Sequence, residues 1–291
     1  MADRLGRDDL ILCSGTVPLA PFRDYVAAAS AAGFQGISMW GRDYRRALSE
    51  GLTDADLRPF LDEHGLAVGE LDGVGQWFPG AAGLAPPVEG EEADSFFGFS
   101  EQDLYAIADV VGARSVNAVE VYGMRCEPEE AAEAFAALCD RAAEHGLLVH
   151  IEYLPWSGIP DAAAAWEVVR LADRPNGGVL VDSWHHFRGA STDAMLRDIP
   201  GACVTGIQLN DAPSEPEADP VEECLRRRLV PGEGAIDLAG LVRVFDEQGV
   251  AAPIGVEVMS DALNALSVKE AAQRVADATR GVLDRARGVP A

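Results

Sequence analysis

The chain has few basic side chains. It carries 23 Lys and Arg against 48 Asp and Glu, so its formal net charge is −25. Proteins bind phosphate backbones through Lys and Arg, which displace condensed counterions. A chain of this charge is repelled by nucleic acid and by anionic membranes, and we expect neither as a partner. The acidic excess by itself indicates solubility and no particular activity.

Paired cysteines and long apolar runs are also missing. The five cysteines are odd in number and never spaced Cys-x-x-Cys, which is typical of free thiols in a reducing compartment and not of disulfides or a zinc site. No apolar run approaches the roughly 18 residues that span a bilayer. The N-terminus has no apolar segment before Asp8 and Asp9, so no signal peptide is indicated. These absences predict a cytoplasmic protein.

A regular alternation of short β-rich runs and Ala-rich amphipathic segments is present. The predicted strands are residues 10–14, 36–40, 67–71, 115–122, 147–153, 178–182, 204–210 and 254–259. The predicted helices are residues 22–32, 54–64, 101–111, 128–145, 161–172, 192–198, 238–248 and 268–287. Eight such units predict a (β/α)8 TIM barrel, one domain over residues 1–291. A doubly wound open sheet also alternates, but Ser-Gly-Thr-Val-Pro follows the first strand where a Gly-x-Gly-x-x-Gly loop would be needed.

Two connections are too long for simple turns. Residues 72–99 follow the third predicted strand and residues 211–237 follow the seventh, so we expect both loops to lie over the C-terminal mouth of the barrel, where barrel enzymes place their chemistry. The first loop holds an acidic run at 89–94 and five large aromatic residues: Trp77, Phe78, Phe96, Phe97 and Phe99. These aromatics suggest a substrate bulkier than a simple sugar.

Four polar residues lie within apolar runs of strands five to eight: Glu152, Asp182, Gln208 and Glu257. Burying a charged group is costly unless something compensates. Three carboxylates that converge in one barrel cannot all stay ionised without a cation. The donors are all oxygens, which suit Mg²⁺ or Mn²⁺ better than zinc, with Co²⁺ also compatible. The sequence therefore predicts a divalent metal site held by these four residues.

Five motifs carry a family resemblance. They are Ile-Glu-Tyr-Leu-Pro-Trp at 151–156, Val-Asp-Ser-Trp-His at 181–185, Gln-Leu-Asn-Asp-Ala-Pro at 208–213, Pro-Gly-Glu-Gly at 231–234 and Val-Glu-Val at 256–258. From about strand two onward the chain resembles the xylose-isomerase-like (AP-endonuclease-2-like) TIM barrels. That family includes sugar isomerases, ketose 3-epimerases, inosose-converting enzymes and 3-dehydroshikimate dehydratases. The resemblance implies one divalent ion on Glu152, Asp182, Gln208 and Glu257.

Gln208 departs from the family pattern, because the third ligand is usually His. Together with the string at 208–213 it most resembles the bacterial 3-dehydroshikimate dehydratase branch. The DNA-repair endonucleases of this superfamily need three zinc ions and several further His ligands. This chain has only five His and an acidic balance, which disfavours that branch.

The resemblance implies further site residues. His185, in the Asp-x-x-His pattern, would hydrogen-bond a substrate oxygen. An Arg of the strand-seven loop would clamp a substrate carboxylate or phosphate; the sequence does not decide among Arg226, Arg227 and Arg228, and Arg228 is our candidate. Position alone suggests four more residues that would line the mouth: Trp40, Glu70, Glu120 and Trp156. His150 shares the inward face of strand five with Glu152 and is a weaker candidate of the same kind.

The expected chemistry is removal of a proton α to a carbonyl of a small polyhydroxylated substrate. Glu152 or Glu257 would act as the base, and the metal would stabilise the resulting enediolate. Isomerisation, epimerisation and dehydration share that intermediate, so the metal site does not choose among them. We expect an isomerase or epimerase of sugars or sugar phosphates, with a lyase of the 3-dehydroshikimate dehydratase type as the alternative.

Two observations bear on these alternatives. Ketose 3-epimerases carry a second Glu six residues after the first ligand, and Gly158 stands there in this chain. A non-catalytic barrel is a third reading, but all four ligand positions hold oxygen donors. Such barrels often pair, and the sequence leaves a homodimer open.

Overall fold

Eight parallel strands close into one barrel in chain order, with β8 hydrogen-bonded back to β1. The protein was analysed as a computed structural model that describes residues 5–81, 83–84 and 98–288. The strands are β1 (Leu10–Leu12), β2 (Gly36–Trp40), β3 (Ala67–Val74), β4 (Ser115–Val119), β5 (Leu148–Glu152), β6 (Gly177–Asp182), β7 (Val204–Leu209) and β8 (Ile254–Val256). The predicted TIM barrel is confirmed, while the limits of the domain at residues 1 and 291 stay a prediction.

Helices surround this barrel. Among the described residues they are α1 (Phe22–Ala31), α2 (Gly41–Ser49), α3 (Asp54–Glu63), α4 (Glu101–Val111), α5 (Pro128–Ala143), α6 (Ala162–Ala172), α7 (Ser183–Arg188), α8 (Asp193–Arg197), α9 (Pro220–Arg226), α10 (Leu238–Gln248), α11 (Asp261–Asn264) and α12 (Val268–Arg287). Polar side chains cap several starts: Ser100, Asp161 and Ser267 accept hydrogen bonds from the first turns of α4, α6 and α12.

Four short helices, α2, α7, α9 and α11, were not predicted. α2 is rich in Arg and holds few apolar residues, so no apolar run marks it in the sequence. It is held instead by its start, where the Trp40 amide donates to Asp43 Oδ2 at 2.8 Å. α7 begins directly at the end of β6, and the carboxylate of Asp182 caps it. Asp43 and Asp182 therefore each fix the start of a helix that directly follows a strand, at the mouth of the barrel.

The long loop after β3 contains core residues. Trp77 and Phe78 are 6% and 3% exposed, and the Trp77 ring lies 5.7 Å from that of Phe135 in an edge-on contact. These two side chains therefore pack into the core. Phe99 is half-buried, with the Arg45 guanidinium 4.0 Å above its ring. Phe96, Phe97 and the acidic run at 89–94 lie outside the described residues, so a lid formed by this loop stays a prediction.

All five cysteines are free thiols, as predicted. None of the helices in the described part of the chain combines the length and apolar character needed to cross a bilayer.

Candidate metal centre

The four predicted ligands meet at one end of the barrel. Glu152 and Asp182 end β5 and β6, Gln208 pairs with Asp182 across β6 and β7, and Glu257 directly follows β8. Parallel strands bring their carboxyl ends to the same mouth. All four side chains are buried, with at most 7% of any residue exposed. The barrel therefore gathers them in a region where an uncompensated charge is costly.

The Asp182 carboxylate makes four hydrogen bonds. Its Oδ1 accepts from the backbone amides of Trp184 at 2.8 Å and His185 at 3.0 Å, which is the cap of α7. Its Oδ2 accepts from Asn210 Nδ2 at 2.7 Å and from Arg228 Nη1 at 2.9 Å. The two backbone bonds fix the direction of this carboxylate.

Glu152 is oriented by Asn117 on β4, whose Nδ2 donates to Glu152 Oε2 at 2.6 Å and also to Asp72 Oδ1 at 3.0 Å. Sequence reasoning missed Asn117. The signal was available, because Asn117 is a polar residue in the fully buried strand Ser115–Val119, which is the same argument that singled out Glu152.

His185 belongs to the ligand cluster. Its Nε2 lies 3.3 Å from Glu152 Oε1, and Glu152, Asp182 and His185 each offer a ligand atom within 4.8 Å of the others. The sequence placed His185 against the substrate, whereas the structure also puts it within reach of an ion. A nitrogen donor there widens the set of suitable ions to those that accept imidazole.

Two buried oxygens of the other two predicted ligands, Gln208 Oε1 and Glu257 Oε1, have no hydrogen-bond partner in the described residues. A buried acceptor without a partner costs about 1–3 kcal/mol, so each is suited to a ligand that supplies positive charge. Together with the carboxylates of Glu152 and Asp182 they form the kind of oxygen-rich set that divalent cations take. The residues present thus fit a divalent ion.

Negative charge dominates the interior of the mouth. Burial, together with the Glu152 carboxylate, raises the pKa of Glu70 to about 8. Burial, together with nearby carboxylates, also holds the pKa values of Asp72 and Glu257 well above their usual range. The buried guanidinium of Arg228 opposes this at Glu257. Arg114 and Arg42 oppose it at Glu70 and Asp72. Five carboxyl groups still outnumber these three guanidinium groups, and the imbalance favours a bound cation.

The turn after β1 encloses Glu257. Thr16 Oγ1 donates to the Val256 carbonyl and accepts from the Val258 amide, both at 2.9 Å. A Cβ added to Gly15 would lie only 2.9 Å from Glu257 Oε1, the oxygen that has no partner. The sequence gave no reason to single out Gly15 or Thr16, because their role depends on the close approach of β1 and β8.

The structure distinguishes the three adjacent arginines. Arg228 is 1% exposed, and its Nη1 reaches both Asp182 Oδ2 and Glu257 Oε2, the latter at 3.4 Å. Arg226 and Arg227 are exposed. Asp211 anchors the loop of Arg228, because its carboxylate accepts from four backbone amides, those of Ala212, Gly232, Gly234 and Ile236. Arg228 is therefore the arginine that reaches the site.

Glu70 and His150 contact each other inside the barrel. His150 Nε2 lies 2.6 Å from Glu70 Oε2, and Gln208 Nε2 donates to Glu70 Oε1 at 2.9 Å. Burial lowers the pKa of His150 to about 3, so this imidazole is neutral. Both carboxylate oxygens of Glu70 are thus engaged by side chains, and its predicted contact with substrate stays a prediction.

The remaining predicted residues lie around the mouth. Glu120 is buried, with its two oxygens accepting from the amides of Tyr122 and Gly158. Trp156 is edge-on to His185 at 5.7 Å and forms a wall beside it. Trp40 carries the Arg42 guanidinium 4.0 Å above its ring. Their contacts with a substrate stay predictions.

Comparison with known proteins places this geometry in context. A family model described as a xylose isomerase-like TIM barrel matches residues 26–282. A 3-dehydroshikimate dehydratase of Pseudomonas aeruginosa is 28% identical over 87% of this chain and 37% of its own length. An inosose isomerase of Bacillus subtilis is 25% identical over 53% of this chain and 55% of its own. The matches thus span well under two thirds of these relatives.

A solved structure shares the fold. The structure of the IOLI protein with a binding zinc atom has a TM-score of 0.81 and 19% identity, and the match covers 95% of this chain and 98% of that one.

The buried carboxyl groups predict a pH-dependent stability. The pKa of Glu70 is about 8 in the folded state, against the usual 4.5, so the folded protein holds the Glu70 proton more tightly than the unfolded chain does. The stabilisation of the fold that this gives is complete below pH 4.5 and is lost as the pH rises through 8. Between pH 7.5 and 8.5 His150 adds almost no slope, because its folded-state pKa is about 3 and that of an unfolded His is about 6.5. We expect the melting temperature of the chelated protein to fall across this range, and added Mn²⁺ to raise it most at the alkaline end. A melting temperature that rises with pH would contradict this.

The space around Glu257 gives a second prediction. Gly15→Ala should push Glu257 Oε1 aside and weaken Mn²⁺ binding by about 10–100-fold, the usual effect of disturbing groups that support a ligand. Calorimetric titration measures the affinity. Gly6→Ala is the matched control, because nothing lies within 4 Å of an added Cβ there. Equal affinities for the two variants would show that Gly15 does not shape the site.

Proposed function

Since this chain belongs to the xylose isomerase-like TIM barrel family, we propose that it is a divalent-metal-dependent isomerase or epimerase. Its substrate would be a small polyhydroxylated carbonyl compound, a sugar or sugar phosphate, from which it removes a proton α to the carbonyl. Relatives named inosose isomerase and 3-dehydroshikimate dehydratase support an enzymatic role in this chemistry.

The observation that carries the proposal is the pair of buried oxygens without partners, Gln208 Oε1 and Glu257 Oε1, beside Glu152 and Asp182. These four residues would hold the ion, with Mg²⁺ or Mn²⁺ favoured by the oxygen donors and Co²⁺ next. When bound, a divalent ion acts as a Lewis acid that stabilises negative charge on substrate oxygens.

Glu152 and Glu257 would move the proton. They extend from β5 and from the end of β8, two strands that are not neighbours in the barrel, so they approach a bound substrate from different sides. A carboxylate has two oxygens: with Glu257 Oε1 toward the ion, Glu257 Oε2, which lies 3.4 Å from Arg228 Nη1, would accept the proton. A carboxyl group on the other side can then return a proton to the same or to the neighbouring carbon, which gives epimerisation or isomerisation.

Arg228 and His185 would orient the substrate. The guanidinium of Arg228 presents donors toward the ligand carboxylates, and a guanidinium can bind two oxygens of a carboxylate or phosphate at once. His185 Nδ1 is buried without a partner in the described part of the chain, so it has a hydrogen-bonding position available. Trp156 beside His185 would exclude water from that side.

The dehydratase alternative has its own support. Gln208 stands where the resembling isomerases carry His, and the dehydratase relative is 28% identical over most of this chain. Gly158 adds a structural reason against a ketose 3-epimerase: a Cβ at this position would lie 1.7 Å from the Met124 carbonyl oxygen. The second Glu of those enzymes has no room here.

One experiment separates these reactions. The chelated protein is reloaded with Mg²⁺, Mn²⁺ or Co²⁺ and incubated in D₂O with ketoses, inososes and 3-dehydroshikimate. Deuterium incorporation without loss of water supports the isomerase or epimerase. A new ultraviolet-absorbing enone or catechol-type product supports the lyase. Metal binding with neither outcome would contradict the proposal and favour a non-catalytic barrel.

A substitution tests the base. Glu257→Gln keeps the size of the side chain but removes the carboxylate, and we expect turnover to fall by at least about 10²-fold, the usual scale of general base catalysis. Circular dichroism should show an unchanged fold. Glu247→Gln serves as the control, because Glu247 is an exposed residue that pairs with Arg197. Full activity of Glu257→Gln would remove the assignment.

A further inference from the structure

Three buried side chains form a hydrogen-bonded row across the interior of the barrel: Glu70 from β3, His150 from β5 and Gln208 from β7. Each is at most 7% exposed. Gln208 Nε2 donates to Glu70 Oε1 at 2.9 Å, and His150 Nε2 lies 2.6 Å from Glu70 Oε2. On the far side of His150, Nδ1 lies 3.4 Å from Thr205 Oγ1. Glu70 is therefore the shared partner of Gln208 and His150, and its Oε1 accepts from Gln208.

This arrangement decides which way the Gln208 amide points. A primary amide has one end that only donates and one that only accepts. Glu70 Oε1 accepts from the NH₂ end whether Glu70 is ionised or carries its proton on Oε2, which faces His150 Nε2. The Gln208 oxygen is consequently turned away from Glu70, and it is this oxygen that is buried without a partner in the described residues. If the amide were reversed, Gln208 Oε1 would face Glu70 Oε1, and two accepting oxygens cannot form a hydrogen bond with each other.

The direction of the amide matters because of what a cation requires. A divalent ion binds the carbonyl oxygen of a glutamine, whereas its NH₂ group offers no lone pair. A histidine at this position has no side-chain amide group, so its two ends could not be exchanged in this way. Holding the amide in one direction is thus a requirement that comes with Gln208 itself.

We propose that Glu70 is a positioning residue: by accepting from Gln208 Nε2 it fixes the amide so that Gln208 Oε1 faces a bound divalent cation. The inference rests on the proposed metal site. It gives Glu70 a role through Gln208, in place of the substrate contact expected from the sequence.

Mn²⁺ itself is the probe, and calorimetric titration of the whole chain is the measurement. Glu70→Ala should weaken Mn²⁺ binding by about 10–100-fold, the scale seen when partners of metal ligands are removed. Glu70→Gln should retain most of the affinity, because its amide oxygen can still accept from Gln208. Thr279→Ala is the matched control: Thr279 is a buried polar residue on the outer helix α12 whose hydroxyl donates to the Val275 carbonyl, and its loss should leave Mn²⁺ affinity unchanged.

A double-mutant cycle distinguishes positioning from a general structural effect. If Glu70 acts through Gln208, Glu70→Ala should change Mn²⁺ affinity little once Gln208 is already Ala, because interacting residues are not additive. Melting in chelator reports folding of each variant separately. Glu70→Leu fills the space without an acceptor and replaces the alanine variant if that one does not fold.

Unchanged affinity in Glu70→Ala, or equal losses with and without Gln208, would overturn the inference while leaving the proposed function intact. A wild-type chain that binds no Mn²⁺, Mg²⁺ or Co²⁺ would overturn both.

Discussion

The mouth of this barrel depends on how buried carboxylates are held together. Glu70, Glu152, Asp182 and Glu257 are buried inside a ring of parallel strands, and the half-buried Asp72 lies beside them. The buried guanidinium of Arg228 faces two of them. Like charges in a low-dielectric interior raise one another's proton affinity. Such a cluster is tolerated when protons, hydrogen bonds or a cation neutralise it, and the neighbouring side chains supply the hydrogen bonds.

The supporting contacts come from almost every side of the barrel. Asn117 on β4 holds Glu152, the start of α7 holds Asp182, and Thr16 after β1 holds the backbone on both sides of Glu257. Among the described residues, most carboxylate oxygens of the site are engaged in this way, whereas Gln208 Oε1 and Glu257 Oε1 have no hydrogen-bond partner. The site is thus prepared before any ligand arrives, which reduces the cost of ordering ligands on binding.

The barrel and the burial of the candidate ligand residues at its mouth could be predicted from the sequence because both leave local signals. α4, α10 and α12 have apolar periodicity and clear caps or glycine stops, and their predicted bounds match the structure. A charged residue stands out in the sequence when it lies within an apolar strand, which is why Glu152 and Glu257 could be predicted as site residues. Gly15, Thr16 and the pairing of Glu70 with Gln208 were not, because they depend on contacts between residues more than a hundred positions apart. Three consecutive arginines look alike in sequence, and only the path of their loop separates Arg228 from its neighbours.

The tight contact at Gly158 constrains how this protein can diverge. Its backbone passes so close to the Met124 carbonyl that no side chain fits, and its amide donates to Glu120 at 2.5 Å. Acquiring a glutamate at this position would first require the segments after β4 and β5 to separate. A route from this sequence to a ketose 3-epimerase would therefore begin with insertions or deletions in those segments, and exchange of one amino acid would not suffice.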